Sequence, residues 1–461
     1  MTTAAADYAT CTVTALVQSL SQHEVSAAEI TETAIRRIEA MDGPINAVVV
    51  RDFTRAREAA RAADEALAKG ERKPLLGVPM TVKESYNVAG LPTTFGFEEH
   101  RAWRADSDSV AAARLKAAGA IIIGKTNVPP ALADWQSANP HYGRTNNPHD
   151  LSRSPGGSSG GSAAALAAGF TPLELGSDIG GSIRIPAAFC GVYGHKPTYG
   201  IIPLRGHAFP GTDGAPTHLS VGGPLARTAA DLALALSVLA GPDEFEAVGY
   251  RLELPQARHM NLADYRVLIL DRHPLAAVDG EILAALDRLG EQLANTGATV
   301  ARESALIPDL ADAHRTYVRL MTTAISRANP QWEPISAHEW MDALDAQLAV
   351  RRQWAKLFEL FDVVVSPTLG VPAFPHDDEP AWQKRVLELD GAPSKFGAQL
   401  AWPGMAILAN LPATAFPAGF TRGGLPIGLQ AMGGYLQDLT TIGFAGLVER
   451  EFGSQVKVVD P

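Results

Sequence analysis

Cysteine is almost absent from this 461-residue chain: it has only Cys11 and Cys190. Two cysteines so far apart make no disulfide framework and no CxxC metal pair, and they fit a reducing compartment. Basic charge is also scarce. Lys and Arg number 39 against 50 Asp and Glu, a formal charge of −11. An acidic surface repels phosphate backbones and anionic lipids, so neither nucleic acid nor a membrane is an expected partner. No Lys or Arg precedes Arg36, so the N-terminus lacks the basic region of a secretory signal. Apolar runs such as Leu232 to Gly241 fall far short of a membrane span. These absences together predict a cytoplasmic protein.

What is present is ordinary for a protein with a large core: 46% hydrophobic and 19% charged residues. Disorder and coiled coil both fit this composition poorly. At roughly 150 residues per domain the length would allow about three domains. No repeat period or linker breaks the chain, however, and Pro and Gly are spread throughout, so one domain over residues 1–461 is expected.

Helical and strand-like patterns alternate. Ser26-Ala-Ala-Glu29 is a capping box, followed by Ile30, Ala34, Ile35 and Ile38 at helical spacing. Further helices are predicted from Thr54 to Lys69, Ser109 to Ala118, Thr228 to Ala240, Gly280 to Leu293, Asp309 to Ile325, Ala337 to Phe361 and Gln437 to Glu451. Strands are predicted at Pro74 to Val82, Ile121 to Ile123, Val267 to Leu270, Asp362 to Ser366, Ala413 to Phe416 and Ile427 to Gln430. This alternation predicts a layered α/β fold with helices over both faces of a sheet. Between Asn139 and Gly223 periodicity fades and Gly, Ser and Pro accumulate, a natural place for a site.

Three segments carry chemistry. In the first, Pro155-Gly-Gly-Ser-Ser-Gly-Gly-Ser162 opens a small-residue helix, Ala163 to Ala168. Its glycines permit close backbone approach. A flexible linker is the bland alternative, but a linker would not run straight into an apolar helix. In the second, Leu173 to Ser177 leads into Asp178-Ile-Gly-Gly-Ser182-Ile-Arg184. Consecutive unhindered N–H groups beside a hydroxyl are what an oxyanion hole requires. A tight turn in which Asp178 and Arg184 merely pair explains the same residues equally well. In the third, Gly77 to Val82 is an apolar strand ending at Lys83. A desolvated lysine loses its charge readily and can act as a base. Lys125 and Lys196 have comparable surroundings, so context alone does not choose among the three.

Together these segments resemble the amidase-signature family, whose hallmark is a Ser–cis-Ser–Lys triad. The two serines lie 24 residues apart, and Lys83 lies 99 before the second of them, both like the family pattern. Asn127-Val-Pro, Asn139-Pro, Phe189 to Gly200 and Gly424 to Gln430 also match. The resemblance is specific from about Lys83 to Gly200 and weak from about Gly241 to Pro403. Ser177 stands where the family often has Thr.

By resemblance the fold is a mixed central sheet covered by helices on both faces. Its catalytic core spans about 75–230, and a variable substrate-pocket segment about 241–403. Ser182 becomes the nucleophile, Ser158 the cis-peptide relay and Lys83 the base. The N–H groups of Ile179, Gly180, Gly181 and Ser182 form the oxyanion hole, with Ser159, Asp178 and Arg184 in support. Leu132 falls at a pocket position, with Trp135 close by in sequence. No metal or cofactor is implied. The expected activity is hydrolysis of a small neutral amide, anilide or carbamate, as in bacterial amidases, fatty-acid-amide-hydrolase-like and urethanase-like members, with esters within reach. A homo-oligomer is compatible with the sequence. Arg144 is the cation near the motifs that could hold a substrate carboxylate.

Three other readings compete. Gly157-Ser-Ser159-Gly-Gly161 satisfies the GxSxG elbow of an α/β-hydrolase esterase with Ser159 as nucleophile, but the polar stretch before it ends in Pro155 rather than forming a strand. A phosphate-binding loop would need Lys where Ser162 stands. Within the family, an amidotransferase component would hydrolyse glutamine and pass ammonia to a partner.

Overall fold

The computed structural model describes residues 8–212, 214–326, 333 and 335–460. Its centre is a sheet of eleven strands: β1 (Val48–Arg51), β2 (Pro79–Lys83), β3 (Ile121–Thr126), β4 (Leu173–Asp178), β5 (Tyr193–Lys196), β6 (Val221–Ala226), β7 (Arg266–Ile269), β8 (Thr299–Ala301), β9 (Val363–Pro367), β10 (Ala413–Phe420) and β11 (Pro426–Met432). The order across the sheet is β1-β3-β2-β4-β6-β5-β10-β11-β9-β7-β8. β2 runs parallel to β3 and β4, and β9 parallel to β7. The strands from β4 through β9 alternate in direction. The sheet is therefore mixed, as expected.

Both faces are covered. β2, β3, β4, β6 and β11 are buried at every position, with no alternation of inside and outside residues. That is the signature of a strand with helices on both sides. Local signals place the helices. The Ser26 capping box starts Ala27–Ile45, and a second box at Ser336 and Glu339 starts Ala337–Leu360. Ser109 and Thr228 cap Val110–Ala117 and Ala229–Leu239. Helices Gly280–Thr296 and Leu310–Ser326 bury one stripe each, as their amphipathic spacing predicts.

Some boundaries differ from the sequence reading. The strand expected from Pro74 begins at Pro79, because residues 75–78 form turns: Leu76 donates to Lys73 C=O and Val78 to Leu75 C=O. The zone from Asn139 to Gly223 holds more regular structure than its composition suggests. Helices Gly160–Ala167 and Arg184–Cys190 and strands β4 and β5 lie in it, and β6 begins there. Several of their glycines sit where neighbouring backbones come close. A methyl on Gly161 would sit 3.0 Å from Ala47 O and overlap Asn127, and one on Gly194 would sit 3.1 Å from Ile183 O. A helix at Val13–Ser21, capped by Thr12, and a hairpin of Val386–Leu389 with Ala392–Lys395 were not anticipated.

β2 and β4 are parallel neighbours, with Thr81 opposite Glu174 and Val82 opposite Leu175. Lys83 and Asp178 therefore lie at the same edge of the sheet, as the last residues of two adjacent strands. Ligand sites in open α/β sheets favour that location. Among the described residues, no helix is long and apolar enough to cross a membrane.

Candidate active site

Lys83 is the last residue of β2 and is completely buried. Its Nζ lies 2.7 Å from Ser158 Oγ and 2.9 Å from Ser177 Oγ, with Ser177 C=O at 3.4 Å. Burial drives the Lys83 pKa down to about 7, against the opposing pull of the Asp178 charge. Ser177 keeps the hydroxyl that a threonine would offer there, so Lys83 retains that partner.

Ser158 follows a cis Gly157–Ser158 peptide bond. Its neighbour Ser159 points elsewhere: Oγ donates to Ser177 C=O at 3.3 Å. The backbone N–H of Ser159 donates to Ser182 C=O at 3.1 Å. This bond ties the glycine-rich loop to the loop after β4, bringing together two segments that are separate in sequence. No strand precedes Ser158 and Ser159, so they do not form a strand-to-helix elbow.

The loop after β4 is organised by Asp178. Its carboxylate accepts from the N–H groups of Gly181 (2.8 Å) and Ile183 (3.1 Å) and from Arg184 Nε and Nη2 (3.1 Å each). Burial works against its charge, but Arg184 and these bonds hold its pKa below the usual carboxylate range. Arg184, also fully buried, reaches Gln430 Oε1 at 2.7 Å and Pro403 C=O at 3.1 Å. Asp178 and Arg184 do pair, and their pairing shapes the loop. One expected oxyanion donor departs from the reading: the Gly181 N–H is committed to Asp178.

The three buried lysines separate by geometry. Lys125 Nζ donates to Pro92 C=O and to Thr93 Oγ1, the latter at 2.9 Å, and burial lowers its pKa against the nearby Glu84 charge. Lys196 Nζ donates to Pro197 C=O at 2.7 Å. Burial, aided by Arg184, brings Lys196 to about 7, the same as Lys83. Titration behaviour alone thus does not distinguish Lys83 from Lys196; the contact with Ser158 does.

Of the two expected pocket residues, Leu132 ends a short turn, Pro130–Leu132, at φ +59° and is partly exposed. Trp135 is only 2% exposed. Its ring packs on Trp382 and Phe396, with centroids 5.0 Å away in each case, and its Nε1 donates to Gly180 C=O at 2.9 Å. It supports the loop from within the core rather than lining an open wall. Sequence reading missed Tyr317, whose hydroxyl donates to Ile179 C=O at 2.9 Å. An aromatic on the buried stripe of an amphipathic helix carries no sequence signal of such a contact. Among the described residues, no group of three or more His, Cys, Asp or Glu is placed to hold a metal ion.

The chain is a mixed-sheet enzyme that hydrolyses amide C–N bonds. The chain belongs to the Amidase family, whose model matches residues 29–347 and 325–442. It is 36% identical to the Mycobacterium bovis protein named "Putative amidase AmiB2", over 96% of each chain. It is 33% identical to a glutamyl-tRNA(Gln) amidotransferase component of Roseiflexus castenholzii, over 92% of each. It also resembles a solved structure from a vestigial protein complex bearing on the origins of an s-triazine catabolic enzyme. That likeness has a TM-score of 0.84 at 29% identity, covering 97% of this chain and all of the other.

Proposed function

We propose that this protein is a stand-alone amidase that cleaves small neutral amides, anilides or carbamates through an acyl-enzyme on Ser182. The carrying observation is the 2.7 Å contact between Lys83 Nζ and Ser158 Oγ, with the lysine held near neutrality by burial. A serine hydroxyl is a weak nucleophile until a base takes its proton. Neutral Lys83 accepts the Ser158 proton, and Ser158 takes the Ser182 proton as Ser182 Oγ attacks the carbonyl carbon. The tetrahedral oxyanion is held by backbone N–H groups of Ile179, Gly180 and Ser182. The proton returns along the same relay to the leaving nitrogen, the C–N bond breaks, and an amine departs. Water then repeats the sequence on the acyl ester and releases the acid. Carbamates present the same carbonyl and the same leaving nitrogen.

A neutral substrate is favoured because Arg144 is already paired with Asp378. The rival within the family is a glutamine-hydrolysing protein that works with a partner, and the likeness to the Roseiflexus amidotransferase component keeps it in view. One experiment covers both. Wild type and Ser182→Ala are assayed on an acyl anilide, an aryl carbamate and free glutamine, with fluorophosphonate labelling alongside. The expected result is turnover of anilide and carbamate, with turnover and labelling both lost in Ser182→Ala. Labelling that persists there but disappears in Ser159→Ala overturns the nucleophile. Inert anilide and carbamate with active glutamine hydrolysis overturns the substrate class.

A further inference from the structure

Every carbonyl of the four-residue loop Ile179 to Ser182 has a donor. Ile179 C=O accepts from Tyr317 Oη at 2.9 Å, and Gly180 C=O from Trp135 Nε1 at 2.9 Å. Gly181 C=O accepts from Ile185 N–H at 2.7 Å, and Ser182 C=O from Ser159 N–H at 3.1 Å. Two of these donors are backbone groups supplied by the motifs themselves. The other two are side chains from distant segments, Trp135 and Tyr317.

A trans peptide is planar, and its C=O and N–H point to opposite sides. Holding a carbonyl therefore aims the N–H of the next residue. Trp135 grips the Gly180–Gly181 peptide by its oxygen, and the opposite end of the same plane, Gly181 N–H, lies on Asp178 Oδ1 at 2.8 Å. That peptide is held at both ends. Tyr317 grips the Ile179–Gly180 peptide by its oxygen and turns Gly180 N–H to the opposite side. Ile185 does the same for Ser182 N–H.

Both side chains suit the task. Tyr317 and Trp135 are buried, at 0% and 2% exposure, and each spans from a packed cluster to the loop. Burial keeps the Tyr317 phenol protonated and hence a donor. Leu400 and Tyr317 flank Gly180: a methyl there would make ordinary van der Waals contact, 3.5 Å from Leu400 Cδ2 and 3.6 Å from Tyr317 Oη.

We infer that Tyr317 and Trp135 are positioning residues that set the oxyanion hole from its carbonyl side: Tyr317 aims Gly180 N–H, and Trp135 locks the adjoining Gly180–Gly181 peptide against Asp178. This rests on the reading of Ser182 as nucleophile. The loop's local sequence supplies the donors, one remote aromatic fixes the direction of Gly180 N–H, and the other keeps the next peptide from turning. Preorganised donors matter because they need no reorganisation as charge develops.

The test uses the full chain with Tyr317→Phe and Trp135→Phe, which remove one donor each and keep an aromatic ring. Kinetics on a cleaved anilide are combined with the affinity of an aryl boronic acid, whose tetrahedral serine adduct bears an oxygen in the oxyanion position. Losing one oxyanion donor costs ~10²–10³ in kcat, so losing the aim of Gly180 N–H in Tyr317→Phe is expected to cost about tenfold to a hundredfold, and Trp135→Phe, which frees only the adjoining peptide, less. KM should stay within about threefold, since ground-state binding is untouched, and boronate affinity should fall by the same factor as kcat. Trp135→His, which restores a ring N–H, should recover part of the loss and serves if Trp135→Phe is insoluble. Unchanged kcat and boronate affinity in Tyr317→Phe overturn the inference, as does a rise in KM with kcat unchanged. Ser182→Ala is labelled in parallel. If it still labels, the nucleophile reading has failed. If it does not label and Tyr317→Phe behaves as wild type, only the positioning role has failed.

Discussion

Residues 75–230 and residues 241–403 build the same molecule by different means. In the first region close approach dictates identity. Helix Gly160–Ala167 is buried at every position, and β4 is buried along its length. Even a methyl is sterically excluded at several glycines, such as Gly161 and Gly223, so few sequences serve. The second region contributes β7, β8, β9 and long amphipathic helices such as Gly280–Thr296 and Leu310–Ser326. Many apolar stripes satisfy that requirement. The consequence is that the first region carries legible motifs and the second carries only its periodicity. The second is nonetheless not a passive cover, since Tyr317, Leu400 and Pro403 reach the loop at Ser182.

The largest test of this contrast lies inside the motif region, where two lysines share a pKa of about 7 and differ in contacts. Lys83→Met should lower amide turnover ~10³-fold, the scale of a lost general base. Lys196→Met should leave it within about tenfold. Wild-type kcat/KM should rise about tenfold per pH unit on the acid side and level off above about pH 7, because Lys83 accepts a proton only when neutral. Equal losses in the two variants, or a profile flat from about pH 5 to 8, would remove Lys83 from the base role.

Glycine substitutions give the next largest effect. Gly161→Ala drives a methyl into the Asn127 backbone, whereas Gly397→Ala, in the second region, meets nothing within 4 Å. Overpacking against backbone should cost Gly161→Ala about 3 kcal/mol in urea unfolding. Gly397→Ala should stay within about 0.5 kcal/mol. Comparable costs would mean that the two regions are packed alike.

The smallest effect should erase the contrast. Each region or its flank has a capping box, at Ser26 with Glu29 and at Ser336 with Glu339. Ser26→Ala and Ser336→Ala should each cost about 1 kcal/mol, measured by chemical unfolding. Caps are local, so neither surrounding should change the value. A cost several times larger at one site would show that its helix start bears on more than its own first turn.

Much of the site was legible in advance. The glycine-rich loop, the Gly180-Gly181-Ser182 segment and three lysines stood out as local patterns, and the family resemblance chose Ser182, Ser158 and Lys83 among them. Other features were not. Gly181 N–H was expected to face an oxyanion, yet it serves Asp178. Trp135 was expected near a pocket wall, yet it braces Gly180 from the core. In both cases the outcome turned on the orientation of a peptide plane or a ring, and sequence spacing does not encode that.

The sequence by itself determined the layered α/β class, the family resemblance, most helix starts and the three candidate lysines. These follow from periodicity, capping chemistry and steric limits, which act over a few residues. Tertiary structure decided which lysine meets a serine, which hydroxyl turns toward β4 and which aromatics hold the Ser182 loop. Those are contacts between residues 18 to 138 positions apart. They depend on strand order and helix docking, so they exist only once the whole sheet has assembled.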